Sequence, residues 1–209
     1  MDGIKPVLIY PLFGVFFIGV FMYAVNPAMA AINTGIINLL NSMGGSSKIL
    51  LGAIVAGMMS IDMGGPFNKA AYVFGTASIA SGNYDVMAAV MIGGMIPPLA
   101  IALATTFFKK KFTADERKSG VVNYIMGLCF ITEGAIPFAA SDPLRVIPSC
   151  VIGSAVAGGL SMMFGCTLRA PHGGIFVFPV VGNVVGYLIA LAAGAVVGML
   201  MLGILKKNK

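Results

Sequence analysis

The sequence contains no tryptophan, one histidine and few charged residues. Charged side chains make up 10% of the 209 residues and hydrophobic ones 58%, whereas a soluble domain has about 25% charged and about 45–50% apolar residues. This composition excludes a soluble globular domain and a disordered chain. The mean hydropathy of +0.97 indicates an integral membrane protein, in which tyrosine and phenylalanine must take the interfacial positions that tryptophan often occupies.

Cysteine is also scarce, and common catalytic motifs are absent. Cys129, Cys150 and Cys166 lie in apolar surroundings, and none belongs to a C-x-x-C pair. This pattern argues against a disulfide framework and against a zinc site. The sequence has no P-loop and no G-x-S-x-G nucleophile motif. We therefore predict no metal, no cofactor and no catalytic residue in this chain.

The net charge of +6 comes mainly from short basic stretches beside apolar runs. Nine of the 13 basic residues are Lys5, the group Lys109, Lys110, Lys111, Arg117 and Lys118, and the tail Lys206, Lys207 and Lys209. Basic residues beside membrane spans stay cytoplasmic, so residues 109–120 are predicted to form a cytoplasmic loop. Aromatic residues on which bases could stack are not interleaved with these lysines, and no nucleic-acid partner is expected.

A membrane-spanning helix needs about 20 apolar residues, and runs of this kind recur along the chain. We therefore predict that 1–209 is a single membrane domain. Block 1–48 holds a first span at 6–25, which Asn26-Pro27 ends, and an interfacial helix at 28–42. Block 49–108 holds short apolar runs at 49–61 and 70–80 around a polar stretch, and a span at 86–108 that is predicted to break at Gly93-Gly94 and Pro97-Pro98.

Block 121–209 contains three apolar runs, at 121–140, 146–166 and 180–205. The basic loop before them and the basic tail after them are both expected in the cytoplasm, so an even number of these runs crosses the membrane. We therefore predict that 121–140 does not cross but forms a re-entrant hairpin with Glu133 at its tip. Irregular backbone at membrane depth needs a covering protein or a watery cavity, and a hairpin that holds a carboxylate predicts a cavity.

Charged side chains inside a membrane cost about 2.5–3.5 kcal/mol each on insertion scales and usually face a cavity or a partner. Three polar clusters stand out, each flanked by glycine or proline. In the first, Asp62 and Lys69 could pair across a turn, or Asn68 could face a polar solute. In the second, Glu133 could accept two sugar hydroxyls or relay a proton, while Asp142 and Arg145 form an i,i+3 ion pair.

The third cluster, Arg169–Gly174, contains His172 in a glycine-rich break. Together the clusters resemble the fructose family of enzyme IIC, the membrane sugar channel of the bacterial phosphotransferase system. The motifs that carry this resemblance, in order, are Asp62–Tyr72, Ile131–Ala139, Asp142–Pro148 and Arg169–Gly174. They span essentially the whole chain.

The resemblance implies an all-α integral membrane fold, a polytopic helical bundle with two re-entrant hairpins, in a multi-pass protein of the bacterial plasma membrane. It implies a homodimer that moves fructose or a related hexose inward while enzyme IIB, supplied by enzyme IIA, phosphorylates the sugar. Glu133 matches a sugar-binding glutamate by motif, and His172 matches a sugar-binding histidine more weakly. The other candidate substrate-binding residues are Asn68, Thr132, Gly134 and Gly173, with Asp62, Lys69, Asp142, Arg145 and Arg169 as charge partners.

Members of that family carry further spans before the segment that resembles Ile4–Pro11. We therefore expect the chain to be the C-terminal portion of an enzyme IIC: a split subunit whose missing spans lie on another chain, a truncated gene or a trimmed chain. The stripe Gly182, Gly186, Ala190, Gly194 and Gly198, which favours close helix packing, would then lack its partner helix. Such a chain is not expected to transport sugar alone.

Two other functions remain open at this point. An ion-coupled secondary transporter would use Asp62, Glu133 and His172 as the path of a proton or sodium ion. A non-transporting membrane fragment would only assemble with partners. Sugar phosphate that appears with transport distinguishes the phosphotransferase permease, and collapse of uptake with the ion gradient distinguishes the ion-coupled transporter. The non-transporting fragment predicts neither result.

The positive-inside rule makes the side of the basic loop testable. A cysteine in place of Ser119 should resist an impermeant thiol reagent applied to intact cells and should react after the cells are permeabilised. The unsubstituted chain, with its three native cysteines, is the background control. Rapid labelling of Ser119→Cys in intact cells would contradict the cytoplasmic loop and the hairpin deduced from it.

Overall fold

The computed structural model describes Lys5, residues 10–42 and residues 48–208, and the chain divides after Ser42 into two compact units. In the first unit, helix α1 spans Tyr10–Ser42 without interruption. The predicted end of the first span at Asn26-Pro27 is therefore wrong. Proline removes one backbone hydrogen bond but keeps a helical φ, and membrane helices contain it more often than soluble helices do.

The second unit is mainly helical, which confirms the predicted all-α class; the re-entrant hairpins remain a prediction. Two short strands pair antiparallel, with Thr167 opposite Gly182. Short 3-10 helices cover Lys109–Lys111, Thr132–Ala135 and Gly174–Val180. The other elements, in chain order, are α2 (Lys48–Ile61), α3 (Pro66–Ala80), α4 (Asp85–Phe107), α5 (Ala114–Leu128), α6 (Ile136–Ser141), α7 (Pro143–Met163), β1 (Thr167–Leu168), β2 (Val181–Gly182) and α8 (Val184–Leu205).

Helix α4 is the centre of this unit. Every residue from Val86 to Ala102 is buried, and α2, α3, α5, α7 and α8 all pack against it. Among the described residues, α4, α7 and α8 are long and apolar enough to cross a membrane. A helix that is apolar all round fits this central position, because it has no polar face to present to solvent.

The expected breaks in α4 do not occur, since the helix runs through Gly93-Gly94 and Pro97-Pro98. Each proline lacks the N–H that would bond to the carbonyl four residues earlier, which leaves Gly93 and Gly94 as the affected acceptors. The Ser154 hydroxyl of α7 donates to the Gly93 carbonyl at 2.8 Å, and the Thr132 hydroxyl donates to the Gly94 carbonyl at 2.8 Å. Hydroxyl donors of this kind allow proline within membrane helices.

The stripe of small residues has its partner helices within this chain. A side-chain carbon added at Gly194 would lie 2.6 Å from the Ala157 Cβ and from the Gly153 carbonyl oxygen, and one added at Gly198 would lie 2.8 Å from the Ala100 Cβ. Helix α8 thus packs closely on α7 and α4. The expectation that the stripe lacks a partner is wrong, because periodicity shows a packing face but does not show which helix covers it.

The predicted loop 109–120 is also partly wrong, because α5 begins at Ala114. A capping box marks its start: Glu116 N–H donates to the Thr113 hydroxyl at 3.2 Å, and Thr113 N–H donates to the Glu116 carboxylate at 2.7 Å. This reciprocal pair satisfies two of the free donors of a helix N-terminus. The second half of the predicted loop therefore forms the first turns of α5.

A charge cluster joins the start of α5, the start of α7 and the end of α8. Arg145 donates to both carboxylate oxygens of Asp142, at 3.0 and 3.1 Å, so the expected i,i+3 pair is present. The Lys206 side chain is 1% exposed, and its ammonium nitrogen lies 3.7 Å from a carboxylate oxygen of both Asp142 and Glu116. Two cations thus face two anions, which is the balance that buried charges require. Sequence patterning had placed Lys206 only in a basic tail.

Adjacent glycines of α7 offer a matched test of the helix packing. Gly158 lies against the Gly52 carbonyl and the Ala56 Cβ of α2, with no room for a methyl group, whereas the nearest atom to a methyl group at Gly159 would be 3.5 Å away. Both substitutions to alanine raise helix propensity by about 1 kcal/mol. Gly158→Ala should nevertheless lower the thermal unfolding temperature in detergent, while Gly159→Ala should leave it unchanged or raise it. Equal effects would contradict the α2–α7 contact.

Candidate functional site

A cavity of about 350 Å³ lies where the second unit reverses direction twice. One reversal joins α2 to α3, and the other follows α5. Its walls combine a carboxylate, an amide, an ammonium group and an imidazole with aromatic and apolar side chains. The lining residues are Met59, Asn68, Lys69, Tyr72, Phe130, Ile131, Thr132, Glu133 and His172.

The first reversal is a turn built around the carboxylate of Asp62. This side chain accepts the backbone N–H groups of Phe67 at 2.7 Å and Asn68 at 3.0 Å, which are free donors in the first turn of α3. Within residues 48–208 no Asp62–Lys69 ion pair forms, so the alternative in which these two residues pair across the turn is wrong. Negative charge is favoured at a helix N-terminus, and the carboxylate serves the helix instead.

Asn68 is held in place within this wall of the cavity. Its side-chain amide donates to the Met59 carbonyl at 2.8 Å, and the residue is 3% exposed. Lys69, the next residue along α3, directs its ammonium group toward Glu133, with 3.8 Å between Lys69 Nζ and Glu133 Oε1. Glu133 is thus the charge partner of Lys69.

The second reversal carries Glu133. Helix α5 ends at Leu128, Phe130 adopts a left-handed φ of 62°, and the 3-10 helix Thr132–Ala135, which we call the tip, follows. A positive φ is uncommon for a bulky residue, and here it turns the chain so that the tip meets α4. Thr132 is 3% exposed, whereas the Glu133 side chain is 49% exposed. The carboxylate is therefore open to the cavity.

The two reversals touch at Gly64. This glycine has a φ of 127°, and a side-chain carbon there would lie 3.0 Å from Glu133 Oε1. Only glycine adopts such a backbone conformation without strain. The glycine in the first turn therefore leaves space for the carboxylate of the second.

Aromatic side chains complete the cavity. The Phe130 ring lies 5.0 Å from the His172 ring and 6.4 Å from the Tyr72 ring, measured between centroids. Such distances are typical of interacting aromatic pairs. Tyr72 and Phe130 had not been singled out as site residues. Tyr72 lies one helical turn after Asn68, which was the available signal.

Several predicted site residues lie elsewhere. Gly134 packs against Asn123 and Met126, and Gly173 makes a turn with a φ of 134°; neither lines the cavity. Arg169 stacks over the Tyr84 ring at 4.8 Å.

Asp142 and Arg145 belong to the charge cluster at the start of α7, which also leaves them outside the cavity. Within the described ranges, no group of three or more histidine, cysteine or acidic residues is placed to hold a metal.

The structure thus combines helices long and apolar enough to cross a membrane with a partly open cavity lined by polar groups, which are features of a helical membrane protein. The family described as "Phosphotransferase system, EIIC" matches residues 4–153. The chain belongs to this family, which confirms the resemblance found in the sequence. No solved structure matches the chain.

Curated relatives extend this likeness over nearly all of the chain. It is 56% identical over 208 residues to the "PTS system fructose-specific EIIABC component" of Bacillus subtilis strain 168, covering 99% of this chain and 33% of that protein. It is 55% identical to the "Fructose permease IIC component" of Bacillus amyloliquefaciens, covering 99% and 68%. It is 46% identical to the "PTS system fructose-specific EIIB'BC component" of Escherichia coli K12, covering 99% and 38%. The chain thus spans one third to two thirds of these relatives.

Proposed function

We propose that this chain forms the sugar-binding part of a fructose permease of the phosphotransferase system, in the plasma membrane of a bacterium. The observation that carries this proposal is the cavity that places Glu133, Lys69, Asn68 and His172 together. Clefts of about 300–1,000 Å³ with a few convergent polar groups are typical small-molecule sites. The names of the relatives support fructose as the sugar.

The chemistry of the cavity suits a polyhydroxylated ligand. A carboxylate only accepts hydrogen bonds and can take two neighbouring hydroxyls, and charge-assisted bonds of this kind are about twice as strong as neutral ones. Lys69, 3.8 Å from the Glu133 carboxylate, adds a donor on the same side. Tyr72 and Phe130 supply flat apolar surfaces for the carbon skeleton of the sugar.

The lengths of the helices support two re-entrant hairpins. Helices α2, α3 and α5 have 14, 15 and 15 residues, so each is about 21–23 Å long at 1.5 Å per residue. The hydrocarbon core of a bilayer is about 30 Å thick. Helices α2 and α5 end, and α3 begins, at one of the two reversals beside the cavity. Such irregular backbone is tolerated at membrane depth where it borders a cavity.

The phosphate donor is proposed to be enzyme IIB, supplied by enzyme IIA. The B. subtilis relative is named an EIIABC component and the E. coli relative an EIIB'BC component. In those proteins the IIC part is named together with a IIB part. We propose the same partnership here, in a homodimeric permease, with phosphorylation of the sugar as it enters.

An ion-coupled transporter is disfavoured by the position of Asp62. Both of its carboxylate oxygens accept backbone N–H groups of α3, so this carboxylate supports a helix and does not line the cavity. Membership of the EIIC family also favours coupling to phosphorylation. Vesicles that contain the permease and phosphorylated IIB should accumulate sugar phosphate after an ionophore collapses the ion gradients. Loss of accumulation with the ionophore would favour the ion-coupled alternative.

The role of Glu133 is testable by substitution with glutamine. Glu133→Gln keeps the size of the side chain but removes charge-assisted hydrogen bonds worth about 1.5–3 kcal/mol. Affinity for fructose, measured by calorimetry on the purified permease, should fall at least about tenfold. Asp115→Asn is the matched control, because the Asp115 side chain is 95% exposed at the start of α5. Unchanged affinity in Glu133→Gln, or an equal loss in the control, would remove Glu133 from the site.

A further inference from the structure

We infer that Thr132 is a positioning residue for Glu133, and that it acts through a carbonyl that Pro98 leaves available. This inference rests on the proposed sugar site. Thr132 is among the candidate substrate-binding residues predicted from the sequence. Its hydroxyl hydrogen, however, is directed to the Gly94 carbonyl of α4 at 2.8 Å, in a buried contact between segments 38 residues apart.

The acceptor exists because of the sequence of α4. In a regular helix the Gly94 carbonyl would bond to the N–H of residue 98, but proline has none. A buried carbonyl without a donor costs about 1–3 kcal/mol, and there is no water in the bilayer core to supply one. The Thr132 hydroxyl therefore supplies the hydrogen-bond donor that Pro98 lacks. This hydrogen bond attaches the tip to α4.

The absence of a side chain at Gly94 also leaves space for the tip. A side-chain carbon at Gly94 would collide with the Phe130 ring and would lie 2.9 Å from the Thr132 hydroxyl oxygen and 3.0 Å from the Met59 Cε. Gly94 thus provides both the acceptor and the space that the tip occupies. Because Glu133 follows Thr132 directly in the same 3-10 helix, anchoring Thr132 sets where the carboxylate stands in the cavity.

The neighbouring proline gives an internal comparison. Pro97 leaves the Gly93 carbonyl available, and this acceptor is satisfied by the Ser154 hydroxyl of α7, with the Ser60 hydroxyl of α2 at 3.5 Å. Neither serine lines the cavity. The carbonyl freed by Pro97 therefore binds α7, and the carbonyl freed by Pro98 binds the tip. Both contacts are hydroxyl-to-carbonyl hydrogen bonds, so Ser154 serves as a structural control for the positioning role of Thr132.

The first experiment measures fructose affinity of the intact permease for single variants. Thr132→Val keeps the shape but removes the donor, and it should weaken binding at least about fivefold, the equivalent of about one hydrogen bond. Thr132→Ser keeps the donor and should stay within about twofold. Ser154→Ala, the control, should lower thermal stability and leave affinity unchanged. Wild-type affinity in Thr132→Val, or the same loss of affinity in Ser154→Ala, would overturn the inference.

The second experiment separates positioning from stability. Pro98→Ala restores an N–H that can reach the Gly94 carbonyl, so Thr132→Val should lose much less thermal stability in the Pro98→Ala background than in the wild type. The affinity for fructose should not recover in that double variant, because a backbone N–H satisfies the carbonyl without attaching the tip. Recovery of affinity together with stability would show that Thr132 only satisfies a buried acceptor, and would overturn the positioning role.

A third measurement does not depend on the sugar, so the inference and the proposed function can fail separately. A cysteine at Ile131, in a chain with Cys129→Ser, reports the position of the tip through its rate of alkylation. Thr132→Val should change this rate, with or without Pro98→Ala, and Thr132→Ser should not. If wild type binds no fructose, the proposed function fails while this test still stands. An unchanged rate in Thr132→Val would overturn the inference.

Discussion

The requirement that every backbone polar group in a membrane finds a partner governs this structure. Pro97 and Pro98 remove two donors from α4, in which every residue from Val86 to Ala102 is buried, and the carbonyls of Gly93 and Gly94 then need donors from elsewhere. The hydroxyls of Ser154 and Thr132 supply them, at 2.8 Å in both cases. The two carbonyls that lack a donor within α4 thus become the attachment points for α7 and for the tip. Thr132, one of these two donors, also lines the cavity.

Close packing of small residues gives the rest of the scaffold its shape. Gly158 meets Gly52, Gly93 meets Ala56, and Gly194 meets Ala157, each without space for a further carbon atom. In a bilayer the hydrophobic effect does not drive helices together, so van der Waals contact at short range and a few hydrogen bonds must do so. The glycines therefore serve the packing of α2, α4, α7 and α8, and flexibility is not needed to explain them.

Charge is divided between two places with different consequences. At the cavity, the Lys69 and Glu133 side chains are 61% and 49% exposed, so their ion pair is solvated and contributes little to stability. In the cluster of Lys206, Asp142, Arg145 and Glu116, the ammonium group is buried and faces two carboxylates. Removing one partner of a buried pair is costly, which makes this cluster part of the scaffold. The same residue types thus have opposite roles, according to their solvation.

The sequence by itself determined the membrane class, the family and the position of Glu133 in a broken apolar segment, because hydropathy and chain reversals are properties of neighbouring residues. It led to a wrong break at Pro97-Pro98, because the donors that satisfy the freed carbonyls lie far away in the chain; Thr132 and Gly94 are 38 residues apart. Patterning alone also missed the partners of Asp62, Lys206 and the α8 stripe. Only the tertiary structure decided which hydroxyl meets which carbonyl and which carboxylate faces the cavity, since these pairings depend on how the helices cross.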